Sequence, residues 1–201
     1  RPEYATSLAV NCQSLTEAQS ALVTGFGSAT EPSGGAIVKT ADGFRATLRL
    51  EGVQISVKDR VDALSDLLSA RGQIAVLPPE ESEDFWRFMR DIACVDTAAE
   101  QVWKLSVTPS FAPRIIAALE QDHRIDYALD WAGGLIWIAG QGDRLGADIR
   151  AVLAQYDGGH ATLMRSENPV QADLPVFQPL DAALGGLQTR IKAVSYTHLT
   201  L

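Results

Sequence analysis

The sequence predicts an α+β fold built from two split βαββαβ units of ferredoxin-like type, each an antiparallel sheet with its helices on one face. Three observations predict it. Short apolar runs and amphipathic stretches follow one another in the same order in both halves of the chain, although the halves share almost no identical residues. Each half has a tight central connection where a hairpin belongs, Asp42-Gly43 in one and Ala132-Gly133-Gly134 in the other. The apolar runs alternate with polar residues, as strands with one buried face do. The units are assigned to residues 1–78 and 102–193, the second including a C-terminal helix, with a helical linker at 79–101.

The elements follow in order. "ATSLAV" (5–10) reads as a strand, and "SLTE" (14–17) is a capping box ahead of Ala18, Leu22, Val23 and Phe26. "GAIVK" (35–39) and "FRATLRLE" (44–51) flank the first hairpin turn. Ser56 is expected to open a second helix that buries Val57, Val61, Leu64 and Leu68 and closes at Gly72. "QIAVL" (73–77) completes the unit. "PPEESEDFWRFMRDI" (78–92) has prolines and acids first and Arg87 and Arg90 late, a charge order that suits the helix dipole.

In the second half the strands are "QVWKLSVT" (101–108), "RIDYALDW" (124–131), "LIWIA" (135–139) and "HATLMR" (160–165). Ser110 is expected to cap "FAPRIIAALEQ", and Asp143 to cap "RLGADIRAVLAQY" before Gly158-Gly159. "LIWIA" is apolar throughout and belongs at the centre of its sheet, covered on both faces.

Composition narrows the function. Acids outnumber bases 25 to 17 and no basic run exists, which argues against a nucleic-acid partner. No apolar stretch approaches the roughly 20 residues that span a bilayer. Cys12 and Cys94 form no CxxC pattern and read as free thiols. "GQGDRLG" (140–146) has the wrong spacing for a dinucleotide loop and follows a hairpinned strand, so it reads as a turn into a helix. His123, His160 and His198 are the only histidines, and none has a partner at metal-ligand spacing. His123 reads as a helix C-cap or solvent residue.

What remains is polar residues on strands that are otherwise apolar. Trp103, Leu105 and Val107 share one strand face; Lys104, Ser106 and Thr108 share the other. Ile125, Tyr127, Leu129 and Trp131 oppose Asp126 and Asp130, while Ala161 and Leu163 oppose His160 and Thr162. If the apolar sets meet the helices, Lys104, Ser106, Asp130, His160 and Thr162 converge on the open face of the sheet.

"VWKLSVTPS" (102–110), "ALDWAGGLIWIA" (128–139) and "GGHATLMR" (158–165) resemble, in this order and spacing, the FAD-binding subunit of bacterial glycolate oxidase. "PVFQPLDAALGGLQTRIKA" (175–193) is similar to the segment that follows them in that family. The family in turn is similar to FAD-linked oxidases of the vanillyl-alcohol-oxidase type, in which a C-terminal α+β cap roofs the flavin held by an N-terminal domain. The resemblance implies such a cap, FAD as cofactor, and oxidation of a 2-hydroxy acid such as glycolate to the 2-oxo acid. That chemistry needs a cation for the substrate carboxylate and a base for its hydroxyl proton. Lys104 or Arg165 suits the cation, with Asp130 beside the substrate, and His160 suits the base. Trp131, Ser106 and Thr162 would face the cofactor. The family usually carries arginine where this chain has Lys104.

The resemblance also implies partners, a second flavoprotein subunit and an iron–sulfur subunit, and a cytoplasmic place or a peripheral one at the inner membrane through them. The catalytic flavin could then sit in the sister subunit. The alternative is a free-standing ferredoxin-like module that binds a small ligand or dimerises without catalysis.

Both ends read as those of a fragment. "RPEY" has no initiator Met, and after Ala193 or Val194 the chain departs from the family into "SYTHLTL", which resembles translated vector sequence. Residues 194–201 are therefore expected to be a non-native tail. Ending the chain at Ala193 should change its unfolding free energy by less than about 0.5 kcal/mol. A clear drop in Tm on truncation would show the tail to be docked.

Overall fold

A computed structural model describes residues 2–156, 158–167, 175–178 and 182–195. Its centre is a single antiparallel sheet of eight strands in the order β4-β1-β3-β2-β6-β7-β5-β8. The first unit supplies β1 (Tyr4–Cys12), α1 (Leu15–Phe26), β2 (Gly34–Thr40), β3 (Gly43–Gly52), α2 (Gln54–Leu68) and β4 (Gln73–Leu77). After α3 (Pro79–Arg90), the second supplies β5 (Gln101–Ser106), α4 (Ala112–Leu119), β6 (Ile125–Asp130), β7 (Leu135–Gly140), α5 (Leu145–Gln155) and β8 (His160–Ser166). Helix α6 (Ala182–Ser195) follows. Each unit has the βαββαβ order and the split pairing that the sequence predicts, with the same strand order read in opposite directions across the sheet. The two meet where β2 pairs with β6, and they do so through two residue pairs only, Ile37–Leu129 and Val38–Ala128.

Strand alternation decides the layers. Leu8, Val10, Ile37, Leu48 and Leu50 from the first unit, and Trp103, Leu105, Tyr127, Leu129, Ile136, Ile138 and Ala161 from the second, point to one face. There they meet the buried faces of α1, α2, α4 and α5 in one continuous core. The opposite face is not left free. Linker helix α3 and the residues after it lie on it, packing Met89 and Val95 against Ala36, Ala128, Leu135, Trp137 and Ala139. All of β7 is therefore buried, as its unbroken apolar run requires.

The capping box at Ser14 forms: its hydroxyl accepts from the Glu17 N–H, and the Glu17 carboxylate accepts from the Ser14 N–H. Three other expected caps do not. Helix α2 starts at Gln54, two residues before Ser56, behind Val53. Helix α4 is preceded by a short 3-10 turn at Pro109–Phe111 that absorbs Ser110, and Arg144 holds the N-cap position of α5 in place of Asp143. After α5, Gly158 takes a φ of 77° and returns its N–H to the Leu153 carbonyl, the helix stop expected there. Residues 196–201, most of the expected tail, lie outside the described residues.

Because one core runs under both units, the chain should unfold in a single transition. Leu48, fully buried on β3, tests this. Leu48→Ala should lower stability by about 2–5 kcal/mol. Urea unfolding followed by far-UV circular dichroism and by tryptophan emission should shift together; separate midpoints would mean that the units unfold independently.

Candidate functional site

Register brings the predicted polar residues onto neighbouring rungs of the second unit. Asp130 pairs with Leu135, Leu135 with Ser106, and Ser106 with His160, so these four form one rung across β6, β7, β5 and β8. The next rung is Ala128, Trp137, Lys104 and Thr162. Directly paired residues share a face, and Leu135, Trp137 and Ala128 belong to the α3-side cluster. All the predicted strand residues therefore lie on the sheet face away from the units' helices.

The linker covers only part of that face. On a third rung, of Asp126, Ala139, Val102 and Arg165, both ends are tied down. The Asp126 carboxylate accepts from the Asp96 N–H at 2.8 Å, and the Arg165 guanidinium donates to the Ala99 carbonyl at 3.0 Å. Arg165 reaches this rung through a bulge in which Trp103 pairs with Leu163 and Val102 with Arg165.

Between the linker and the first two rungs is an open groove of about 890 Å³. Lys104, Asp130, Trp131, Leu135 and Trp137 line it from the second unit, Trp86, Met89 and Arg90 from linker helix α3, and Arg49 of β3 from the first unit. The Lys104 ammonium sits 5.5 Å from the Trp131 ring centre and 5.9 Å from that of Trp137. Arg49 is held 5.8 Å from the Trp86 ring and 2.9 Å from the Glu51 carboxylate. Trp86 itself donates its indole N–H to the Ser7 hydroxyl, which also bonds that of Ser82, so α3 is pinned to β1 by a small polar network. The structure thus gathers Lys104, Asp130 and Trp131 into one groove. His160, Ser106 and Thr162 share its face beyond its edge, and Arg165, exposed on the edge strand, is tethered to the linker.

Trp131 departs from its expected place. Alternation would send its side chain to the core, but the chain leaves β6 at Asp130 and turns through a 3-10 segment, Trp131–Gly133. Trp131 and Ala132 both take left-handed φ angles, 52° and 56°, which cost about 1–3 kcal/mol each for residues with a Cβ. The Trp131 ring ends 62% exposed beside Lys104. The Asp130 carboxylate accepts from the Trp131 N–H at 2.7 Å and so steadies the turn. Arg49, Trp86 and the face of α3 escaped sequence reasoning. The outward alternation of "FRATLRLE" was the one available signal for Arg49.

The other singled-out groups find structural partners. The His123 ring bonds the Asp148 carboxylate at 2.8 Å with its side chain only 10% exposed, so it joins the end of α4 to α5 and is not a solvent residue. In "GQGDRLG" the Gly142 N–H is taken by the Glu100 carboxylate and its carbonyl by the Gln101 amide, which ties this loop to the linker. Both cysteines are free, and burial raises their thiols, Cys94 to about 11. Among the described residues no group of three or more His, Cys, Asp or Glu could hold a metal ion, and no helix is long and apolar enough to cross a membrane.

No protein-family model matches the chain, and no curated protein does. Solved structures do. One structure of alkyldihydroxyacetonephosphate synthase, from a triclinic crystal, is similar with a TM-score of 0.54 at 13% identity over 79% of this chain. A second structure, from an orthorhombic crystal, is similar with a TM-score of 0.55 at 11% identity over 96% of it. These likenesses establish a shared fold. The chain spans 40% and 43% of the length of those two chains.

Burial raises the Asp130 carboxyl above the usual carboxylate range, and the Trp131 N–H offsets only part of that. The folded chain then holds this proton more tightly than the unfolded chain does. Its contribution to stability falls as pH rises from the unfolded carboxylate range through the raised folded value, and the cost is fully present above that. Asp130→Asn keeps an acceptor for Trp131 and removes the charge. The variant should be at least as stable as the parent at pH 7, with the gap narrowing toward pH 4. Urea midpoints across this range check it; an asparagine variant clearly weaker at pH 7 would show the charge to be stabilising.

Proposed function

We propose that the chain is the cap of an FAD-linked oxidase acting on a 2-hydroxy acid such as glycolate, with the open sheet face laid over a flavin held mainly by a separate domain. The observation that carries this reading is Lys104, a cation set against two indole rings in an open groove, in a chain whose net charge is -8. The sequence resemblance to the glycolate oxidase subunit supports it. The fold shared with alkyldihydroxyacetonephosphate synthase is consistent with the same coarse family.

The residues present fit such a cofactor. An exposed indole on a strained turn, with a cation beside it, suits a flat, electron-poor ring and an anionic substrate. The flavin, when bound, accepts hydride from the substrate. Lys104 takes the substrate carboxylate, and Asp130 borders the same groove. His160 is the diagonal neighbour of Lys104 across β5 and β8, about 7–8 Å away, with the Cβ atoms somewhat closer. A small hydroxy acid held at Lys104 can therefore turn its hydroxyl toward the imidazole, which takes the proton. Ser106 on β5 and Thr162 on β8 hold the other diagonal of the same four-residue square and would face the cofactor. Arg165 is engaged with the linker and is assigned no direct contact. The second flavoprotein subunit and the iron–sulfur subunit implied by the resemblance would receive the electrons.

The test looks for a flavin domain upstream in the same reading frame and joins it to the chain. The chain alone should purify colourless and inactive, and the restored protein should be yellow and oxidise glycolate. In it, Lys104→Met should raise KM for glycolate at least about tenfold, a loss of one charged contact. His160→Ala should lower kcat by about a hundredfold or more with the flavin spectrum retained. Both variants at wild-type kinetics would overturn the site. A restored protein that holds no flavin would favour the ligand-binding module.

A further inference from the structure

We infer that Gln19, on α1 of the first unit, is the positioning residue that places Trp131 over Lys104 in the second. Gln19 is only 5% exposed, an uncommon setting for a primary amide on a helix face that is otherwise Leu15, Ala18, Ala21 and Leu22. Its amide donates to the Ala132 carbonyl at 2.8 Å, a bond that spans both units. Ala132 is the second of the two left-handed residues in the turn that carries Trp131.

The fit around this amide is close. Gly133 has a φ of 96°, and a Cβ built there would stand 2.6 Å from the Gln19 Oε1 and 2.7 Å from its Nε2. The positive φ at Gly133 calls for glycine, and the Gln19 amide fills the space that a Cβ would take. Its Oε1 is buried without a hydrogen-bond partner among the described residues. Leaving a buried acceptor unpaired is costly, and the bond that the other side of the amide makes to Ala132 offsets that cost. What it serves is a backbone conformation that the turn's own residues disfavour. The Gly134 N–H returning to the Trp131 carbonyl, and the Asp130 carboxylate on the Trp131 N–H, close the turn from within. The Gly134 carbonyl accepts from the Val107 N–H and ties the far end of the turn to the end of β5. Gln19 holds the Trp131–Ala132 end, bonding it from a helix packed into the shared core. Trp137, by contrast, stands on β7 in the middle of the sheet and owes its place to strand pairing.

The role of Trp131 in a site rests on the reading proposed above; its placement by Gln19 does not. The test therefore uses the 201-residue chain with neither flavin nor substrate, so that its failure and the failure of that reading are separate results. The chain is labelled with 5-fluorotryptophan, and Trp131→Phe and Trp137→Phe assign the two resonances by 19F NMR. In the parent, Lys104→Met should shift both. In a Gln19→Met background the Trp131 resonance should be displaced at the start and should no longer answer Lys104→Met, while Trp137 still does. If Gln19→Met does not fold, Gln19→Asn, which keeps the amide but falls short of Ala132, is read in the same way. A Trp131 resonance at its parental position that still responds to Lys104→Met would overturn the inference and leave Gln19 as packing alone.

Discussion

The open face depends on how β2 meets β6. Those strands share two residue pairs, and the backbone bonds of so short a ladder contribute about 0.5–1.5 kcal/mol each. Alone they would not fuse two units into one sheet. Burial does. Ile37 and Leu129, opposite one another at the joint, are both in the helix-side core, and each buried side chain of this size contributes about 1.5–3 kcal/mol. On the other face Ala36, Val38 and Ala128 close under α3 and the linker. The joint is held by side chains above and below, with the ladder setting direction and register.

This arrangement explains why the groove draws on both units. Helix α3 leaves the end of the first unit, crosses that unit's own strands, and is pinned there through Trp86, Ser82 and Ser7. Its continuation then covers the Asp126–Arg165 rung of the second unit. Across the first two rungs it buries Ala128, Leu135 and Trp137 on β6 and β7, while Lys104 and Ser106 on β5 and His160 and Thr162 on β8 stay open at least in part. The polar groups of β5 and β8 persist because water or a ligand can still reach them.

Much of this was legible. All eight strands follow from short apolar runs bounded by turn residues, most with a period of two and β7 as an unbroken apolar run covered on both faces. Four core helices follow from their apolar stripes. Helix starts were less legible: Ser56, Ser110 and Asp143 are residue types that favour caps, yet α4 and α5 begin at the buried Ala112 and Leu145, and α2 begins at Gln54, ahead of its first buried residue, Val57. Packing outweighs a cap contribution of about 1 kcal/mol. Trp131 was misplaced for a different reason. Alternation assumes that the strand continues, and two left-handed residues with side chains cannot be read from a sequence that offers Gly133 and Gly134 for the turn. The same holds for Gln19, whose partner lies 113 residues away.

A lysine at the centre of this face has consequences that an arginine would not. A guanidinium presents a rigid fork that grips a carboxylate through two parallel bonds and fixes its plane. The Lys104 ammonium is a compact charge with three donors that rotate, and here two indole rings replace part of its water. Cation–π contacts of this kind are worth about 0.5–2 kcal/mol according to exposure, enough to hold the head group between Trp131 and Trp137 without consuming its donors. On the reading proposed above, an anion at Lys104 would be oriented by what surrounds it, not by the cation itself. Because Trp131 is one of those surroundings, and its turn is strained, discrimination among anions would then rest on the backbone of residues 130–133 as much as on the charge.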